Sequence, residues 1–367
     1  MKALRLHGPG VLRLEDVEPP EPGPGEELVR VTAVGICGSD LLWYAESAIG
    51  DAFLTRPLVL GHEAAGVIES GPRGGQRVAI DPAIPCLSCE QCHAGHQHLC
   101  PELRFAGHGT TDGALREFVA WPARCLVPVP DGLSDADAAM LEPLGVALHA
   151  VGLAELRPGA HVGVFGCGPI GLLIIQLARI SGATTIVATD VLPHRIEAAR
   201  AVGATAVALV VGGGERDELL AAAGRHGLDA AFEVAGEDDA LETAMSLAAP
   251  AATVVIVGIP AVDRVQFTAS VARRKGLTVK LSRRMNRVYP RALRLVESAL
   301  VDVGSIVTES LPLTEFESAF ATAARRDGLK VIVRPSVTPE SRPRPDRGGD
   351  RLPAARTHDG LANRKLT

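Results

Sequence analysis

The sequence predicts an α/β protein in two parts, a β-rich part and a doubly wound parallel sheet. Three observations carry this. Residues 1–143 hold short apolar runs separated by Pro and Gly, the pattern of short strands joined by turns. Residues 144–284 change to continuous apolar runs alternating with helical segments, the pattern of a parallel sheet covered on both faces. A glycine-rich turn, Gly166-Cys167-Gly168-Pro169-Ile170-Gly171, stands where the first of those runs meets the first helical segment.

In chain order, Leu28–Val31, Gly66–Glu69 and Arg77–Ile80 read as strands of the first part. His161–Phe165, Thr185–Thr189, Ala230–Val234 and Thr253–Val257 read as buried parallel strands, with helices at Ile170–Ile180 and Pro193–Val202 between them. From 285 to 335 a helix, Pro290–Leu300, and short strands rejoin the first part. Residues 336–367 are rich in Pro, Arg, Asp and Gly with few large apolar side chains, and a disordered tail is expected there. A length of 367 residues suits two domains, and a hydrophobic fraction of 47% with only 3% aromatics gives them aliphatic cores.

Charge and cysteine usage exclude several classes of function. The formal net charge is -6, and no basic patch marks a nucleic-acid surface. Met1–Leu6 opens no apolar stretch of the signal-peptide kind, and no uninterrupted apolar run reaches the ~18 residues of a membrane span. Neither a nucleic acid nor a membrane is an expected partner. Seven cysteines, an odd number, point to a reducing, cytoplasmic setting.

Four of the seven cysteines stand close together as Cys86, Cys89, Cys92 and Cys100. Two residues separate each of the first pairs and seven the last, in a loop bounded by Pro and Gly. Four thiolates at this spacing can close a tetrahedron around one zinc ion with no position left open, which makes the zinc structural. A set of reduced or disulfide-paired cysteines is the ordinary alternative. His93, His96 and His98 are interleaved, but four thiolates already satisfy the ion.

In the glycine-rich turn each glycine has its own task. Gly166 permits the tight turn, Gly168 lets the backbone approach a pyrophosphate, and Gly171 lets helix and strand pack closely. The free N–H groups of the following helix face the phosphates. Asp190, at the end of the next strand, can accept the adenosine ribose hydroxyls and repel a 2′-phosphate, which favours NAD over NADP. Arg195 complicates that choice, since a guanidinium can welcome a phosphate; beside Asp190 it is expected to flank the adenine.

A third constellation is dispersed. Cys37 sits in Gly35-Ile36-Cys37-Gly38-Ser39-Asp40, His62 and Glu63 follow Gly61, and Glu142 precedes Pro143-Leu144. One thiolate, one imidazole and one or two carboxylates make a zinc site that keeps a position for water or substrate. Taken singly, each has an ordinary reading as a core or hydrogen-bonded residue.

Together these motifs make the chain resemble the zinc-dependent medium-chain alcohol dehydrogenases, among them the sorbitol and related polyol dehydrogenases, over about residues 1–335. The resemblance implies a GroES-like catalytic domain of residues 1–143 and 285–335, a Rossmann NAD-binding domain of 144–284, and an active site in the cleft between them. It implies that Cys37, His62 and Glu63 hold a catalytic zinc, so that each chain carries two zinc ions. Glu142 either joins them as a ligand or holds the zinc-bound water. Ser39 takes the substrate proton, and Ile170, Asp190, Arg195, Val257, Gly258 and Ile259 contact the cofactor.

Trp43 and Arg284 match substrate-pocket residues, and an arginine fork suits a chain of hydroxyls. The expected reaction is hydride transfer between a secondary alcohol, a polyol or cyclitol, and NAD, in a homodimer or homotetramer. Alternatives are a sugar-alcohol phosphate or an amino alcohol as substrate, a metal-free medium-chain reductase, and a non-catalytic NAD-binding protein. The chain departs from the pattern at Leu42, where relatives usually carry a proton-relaying His. It departs again in the short segment Ser70–Gln76, expected to be a trimmed surface loop.

Overall fold

The computed structural model describes residues 1–212 and 215–336; the part of the expected tail beyond Ser336 lies outside the described residues. In the first part, strand Glu26–Gly35 buries Val29, Val31, Ala33 and Val34 and becomes the hub of a seven-stranded sheet. It pairs antiparallel with Glu63–Ile68, Phe118–Pro122 and Lys330–Arg334. Arg77–Ile80 and Leu126–Pro128 continue the sheet on one side, and Val307–Pro312 closes it on the other. Strands from both ends of the described chain therefore share one sheet. Ser70–Gln76 turns between two of its strands, held by Arg73, which donates to Gln76, Glu27 and the carbonyls of Ala123 and Leu126.

Between them the chain builds a six-stranded, all-parallel sheet. Its spatial order is Ala206–Leu209, Thr185–Asp190, His161–Phe165, Leu228–Glu233, Ala248–Ile256 and Thr278–Leu281. In sequence order that is 3-2-1-4-5-6, the doubly wound arrangement of dinucleotide-binding domains. The strand order reverses beside His161–Phe165, and the turn Gly166–Gly171 stands at its carboxyl end, the place where such sheets take their ligands.

The helix Leu141–Ala154 ties the two sheets together. Leu141, Leu144 and Leu148 belong to one continuous core with Ala33, Ala65 and Ala79 of the antiparallel sheet and with Val162, Leu172 and Ile174 of the parallel domain. The small alanines let the helix lie close to the first sheet. The stretch Asp135–Ala154 is apolar and long enough by composition to cross a membrane, but 67% of its apolar window is buried inside the protein, as a core helix is.

Several elements differ from their expected bounds, a helix and a strand near the domain junction among them. The helix expected at Pro290–Leu300 spans Tyr289–Glu297. Ser298 turns its hydroxyl back onto the Arg294 carbonyl and Ala299 takes φ 55°, which ends the helix early. The strand expected at Thr253–Val257 begins at Ala248. Just before the first helix, Asn286 donates to the Gly95 carbonyl (2.9 Å), and buried Tyr289 donates to that of Ile80 (2.9 Å), fastening the segment to the cysteine lobe and the first sheet.

Candidate active site

The cysteine lobe closes locally. Leu87 takes φ 62°, and Cys89 caps the short helix Glu90–His93, its sulfur accepting from the Cys92 N–H at 3.5 Å. The sulfurs of Cys86, Cys89, Cys92 and Cys100 all lie within 4.8 Å of one another, and all seven cysteines are free. Hydrogen bonds from the Ser88 backbone and hydroxyl hold the Cys86 thiol down to about 6, ready to serve as a thiolate. The donor set fits a tetrahedral zinc with every position filled.

The second donor cluster is assembled from distant elements. Cys37 precedes the helix Gly38–Glu46, and Asp40 in its first turn accepts from the Cys37 N–H (2.9 Å) and the Gly61 N–H (3.0 Å). Asp40 is fully buried and also faces His62 Nδ1 at 3.5 Å, which leaves Nε2 toward the site, 3.4 Å from Ser39 Oγ. A carboxylate behind an imidazole is the usual way to orient a metal-binding histidine. Glu63 opens the next strand opposite Gly35, where a side chain would collide with the Glu63 carboxylate.

Ligand atoms of Cys37, His62 and Glu63 all lie within 4.8 Å of one another. Glu142 stands beside this set rather than in it, buried in the first turn of Leu141–Ala154.

The electrostatics of this cluster suit a cation. Burial opposes charge on His62, yet the Asp40 carboxylate and Cys37 hold its pKa well above the imidazole range. Burial pushes the Glu142 carboxyl up to about 8, eased by His62 and raised further by Glu63. A soft sulfur, an oriented imidazole and a buried carboxylate pair fit zinc with an open position.

Behind them Lys330, only 4% exposed, donates to both Glu63 oxygens (2.8 and 2.7 Å) and to the Ile36 carbonyl (3.0 Å). Burial lowers the Lys330 pKa, but Glu63, Cys37 and Glu142 together outweigh it and the net shift is upward.

At the glycine turn, Gly166 takes φ 109°, and a side chain there would strike Val234 and Ala235. A side chain on Gly171 would strike the Gly166 carbonyl, whereas one on Gly168 would meet only the Arg195 guanidinium, at 3.7 Å. Gly168 and Pro169 open the helix Pro169–Ile180, with Ile170 half-buried in its first turn. Asp190 accepts from the N–H groups of Cys167 (2.8 Å) and Leu192 (3.0 Å), and Arg195 lies 3.8 Å from it. Val257 and Gly258 both donate to the Glu233 carbonyl, and Ile259 beyond them is exposed.

Of the expected substrate residues, Trp43 is buried, edge-on to His108 with ring centroids 5.5 Å apart. Arg284 is half-buried at φ 56°, its guanidinium carbon 4.2 Å from the centre of the Phe105 ring, and Phe105 packs 5.4 Å from His62. Arg283 and Arg287 are exposed.

Asp40, Lys330, Phe105 and His108 were not singled out from the sequence. Asp40 stood inside a quoted motif. Lys330 is one of five lysines in the chain and directly precedes the apolar run Val331-Ile332-Val333, a signal that a charge is carried into a core strand.

Residues 23–131 match the alcohol dehydrogenase GroES-like domain family, and residues 169–298 match the zinc-binding dehydrogenase family. The sorbitol dehydrogenase of Bacillus subtilis is 32% identical over 344 residues, 92% of this chain and 98% of the relative. The chain belongs to the zinc-dependent medium-chain alcohol dehydrogenases.

Among solved structures, the L-idonate 5-dehydrogenase of Escherichia coli superposes with a TM-score of 0.84 at 26% identity, covering 91% of this chain and 97% of that one. A Sinorhizobium meliloti protein solved bound to NADP gives 0.82 at 33% identity, covering 91% and 99%. This medium-chain dehydrogenase is thus an oxidoreductase that uses zinc and a nicotinamide dinucleotide. Both of its zinc-type donor clusters fall within the GroES-like match.

Proposed function

We propose that this dehydrogenase oxidises a secondary hydroxyl of a polyol or cyclitol with NAD, in the cytoplasm and as a homo-oligomer. The observation that carries the substrate class is Arg284. Its guanidinium is half-buried over Phe105, beside the Cys37–His62–Glu63 cluster; it makes no hydrogen bond or close ion pair among the described residues, and Glu142 is the carboxylate whose charge it feels. A fork of fixed donors left free at a reaction centre suits a substrate with several hydroxyls. The names of the relatives, a sorbitol dehydrogenase and an L-idonate dehydrogenase, support the same class.

Zinc bound at Cys37, His62 and Glu63 would supply a Lewis acid for the reacting hydroxyl, and the dinucleotide would accept the hydride. Asp40 keeps the His62 ring oriented, and Ser39 Oγ, beside Nε2, takes the hydroxyl proton. Glu142 supplies a further carboxylate facing the cluster, and Lys330 pairs with both Glu63 oxygens. Phe105 and Trp43 exclude water from the reacting carbon.

The Gly166–Gly171 turn takes the pyrophosphate, Asp190 the adenosine ribose, and Val257–Ile259 line the same crevice at the carboxyl end of their strand. Cys86, Cys89, Cys92 and Cys100 hold the second, structural zinc.

The test is Arg284→Ala assayed for NADH formation on a polyol and on 2-butanol. A fall in kcat/KM of about tenfold to a hundredfold on the polyol alone is expected for a lost charged hydrogen bond. Equal loss on both removes Arg284 from the pocket. Because Arg283 adjoins Arg284, a sugar-alcohol phosphate is assayed beside the polyol, and a preference for it would reassign the substrate class.

A further inference from the structure

His108 lies outside every motif read from the sequence, and its setting is unusual for a histidine. It sits at the tip of a tight turn in which the Gly107 N–H donates to the Thr111 carbonyl (2.9 Å) and the Thr111 N–H to that of His108 (3.1 Å). Arg56 holds this turn from below, donating to the Thr110 carbonyl (2.6 Å) and to Asp112 (3.4 Å), while the Asp112 carboxylate accepts from the Val59 N–H (3.1 Å). A side chain on Gly113 would collide with the Leu60 and Gly61 backbone, so the turn is seated directly on the segment that leads into His62.

The turn thus holds His108 on the same side of the cleft as Trp43, whose ring meets the imidazole edge-on. Neither ring nitrogen of His108 has a hydrogen-bond partner among the described residues, although the residue is only half-exposed. The nearest charges include the other free donor of the site. Burial, with Arg284, Arg283 and His62 close by and only Asp51 opposing, pushes the His108 imidazole down to about 4, so it is neutral at working pH.

A neutral imidazole has one donor and one acceptor nitrogen, whereas a guanidinium has donors alone. Near enough for one to feel the other's charge, the two complement a pair of hydroxyls, one donating to the imidazole and one accepting from the guanidinium. A fully ionised phosphate, with acceptors alone, would use the imidazole N–H and leave its lone pair without a partner.

We propose that His108 is a specificity-determining residue of this dehydrogenase, acting with Arg284 as a mixed donor–acceptor wall that binds the hydroxyls next to the reacting carbon of a neutral vicinal polyol. The inference rests on the polyol reading above and sharpens it, since only a hydroxyl can both accept from the guanidinium and donate to the imidazole. Because the turn is fixed by backbone bonds and by Arg56, the imidazole is already oriented before substrate arrives, which favours a short, specific contact.

The experiment compares wild type, His108→Ala and His108→Gln on a vicinal polyol, its phosphate ester and 2-butanol, with kcat and KM measured separately. Gln keeps one donor and one acceptor at similar reach. For His108→Ala, kcat/KM on the polyol should fall about tenfold or more, mainly through KM, and that on 2-butanol should change less than about twofold. His108→Gln should recover most of the polyol loss. Activity on 2-butanol reports the fold within the same preparation. Equal losses on polyol and 2-butanol, no loss on the polyol, or no recovery with Gln each overturn the role of His108. A wild type that turns over 2-butanol but no polyol, or prefers the phosphate ester, overturns the polyol reading itself, and His108 falls with it.

Discussion

The cysteine lobe and the Cys37–His62–Glu63 cluster are both sets of metal-type donors, and they are built in opposite ways. The lobe draws its donors from one short segment, closed by a left-handed Leu87 and a single turn of helix. The cluster takes one donor from the start of a helix and two from the edge of a strand, and it is backed by Lys330, 267 residues beyond Glu63. The lobe buries little besides Cys92, His98 and Cys100, so a bound ion would be what holds the segment. In the cluster the donors are carried by a sheet whose core stands without them. The same chemistry of sulfur, nitrogen and oxygen therefore serves folding in one place and reaction in the other.

The largest expected effect tests the reactive half of that contrast. Cys37→Ser should lower kcat at least about a thousandfold, since a Lewis acid contributes several kcal/mol to the barrier, while the thermal midpoint stays close to wild type. Unfolding along with the activity loss would erase the distinction. Cys89→Ser should show the converse: one zinc per chain lost by metal analysis, and proteolytic nicking within residues 86–100, because metal binding there is folding energy. A lobe that stays protease-resistant without its zinc would mean that packing, not the ion, holds it.

Lys330→Met sharpens the claim that the cluster is held by tertiary pairing. It leaves the Glu63 carboxylate buried and unmatched, at a cost of about 3–5 kcal/mol in urea unfolding, and adding Glu63→Gln should recover a good part of the loss. Wild-type stability in the single variant would show that the pair contributes nothing. Asp190→Ala should have the smallest effect, roughly tenfold weaker NAD binding with relaxed discrimination against NADP, measured by titration of cofactor fluorescence. Arg195, 3.8 Å from Asp190, is the group that would then greet a 2′-phosphate. A wild type already preferring NADP would show that Arg195, and not Asp190, sets the choice.

Legibility followed the same divide. The lobe could be read from spacing alone because its geometry is local. The Gly166–Gly171 turn was legible for a similar reason, since a tight turn and a close helix approach demand glycine at fixed intervals. The parallel strands showed as apolar runs because both faces of their sheet are covered. Cys37, His62 and Glu63 had ordinary readings when taken singly and gained a shared role chiefly through resemblance, because nothing local links a helix start to a strand several elements away. Asp40 was quoted without a role, since its bond to Gly61 exists only once the helix and the Leu60–His62 segment meet.

By itself the sequence determined the order of strands and helices, the four-thiolate lobe and the dinucleotide turn, because each is written in spacing between near neighbours. Only the tertiary structure decided that Lys330 pairs with Glu63, that Glu142 stands beside the donor set instead of within it, and that Arg284 lies over Phe105 with His108 close by. These pairings depend on the register of strands from opposite ends of the chain and on a loop seated against the Leu60–Gly61 backbone. Contacts of that kind leave no periodic trace in the chain, since their energy comes from burial and charge brought together by the fold.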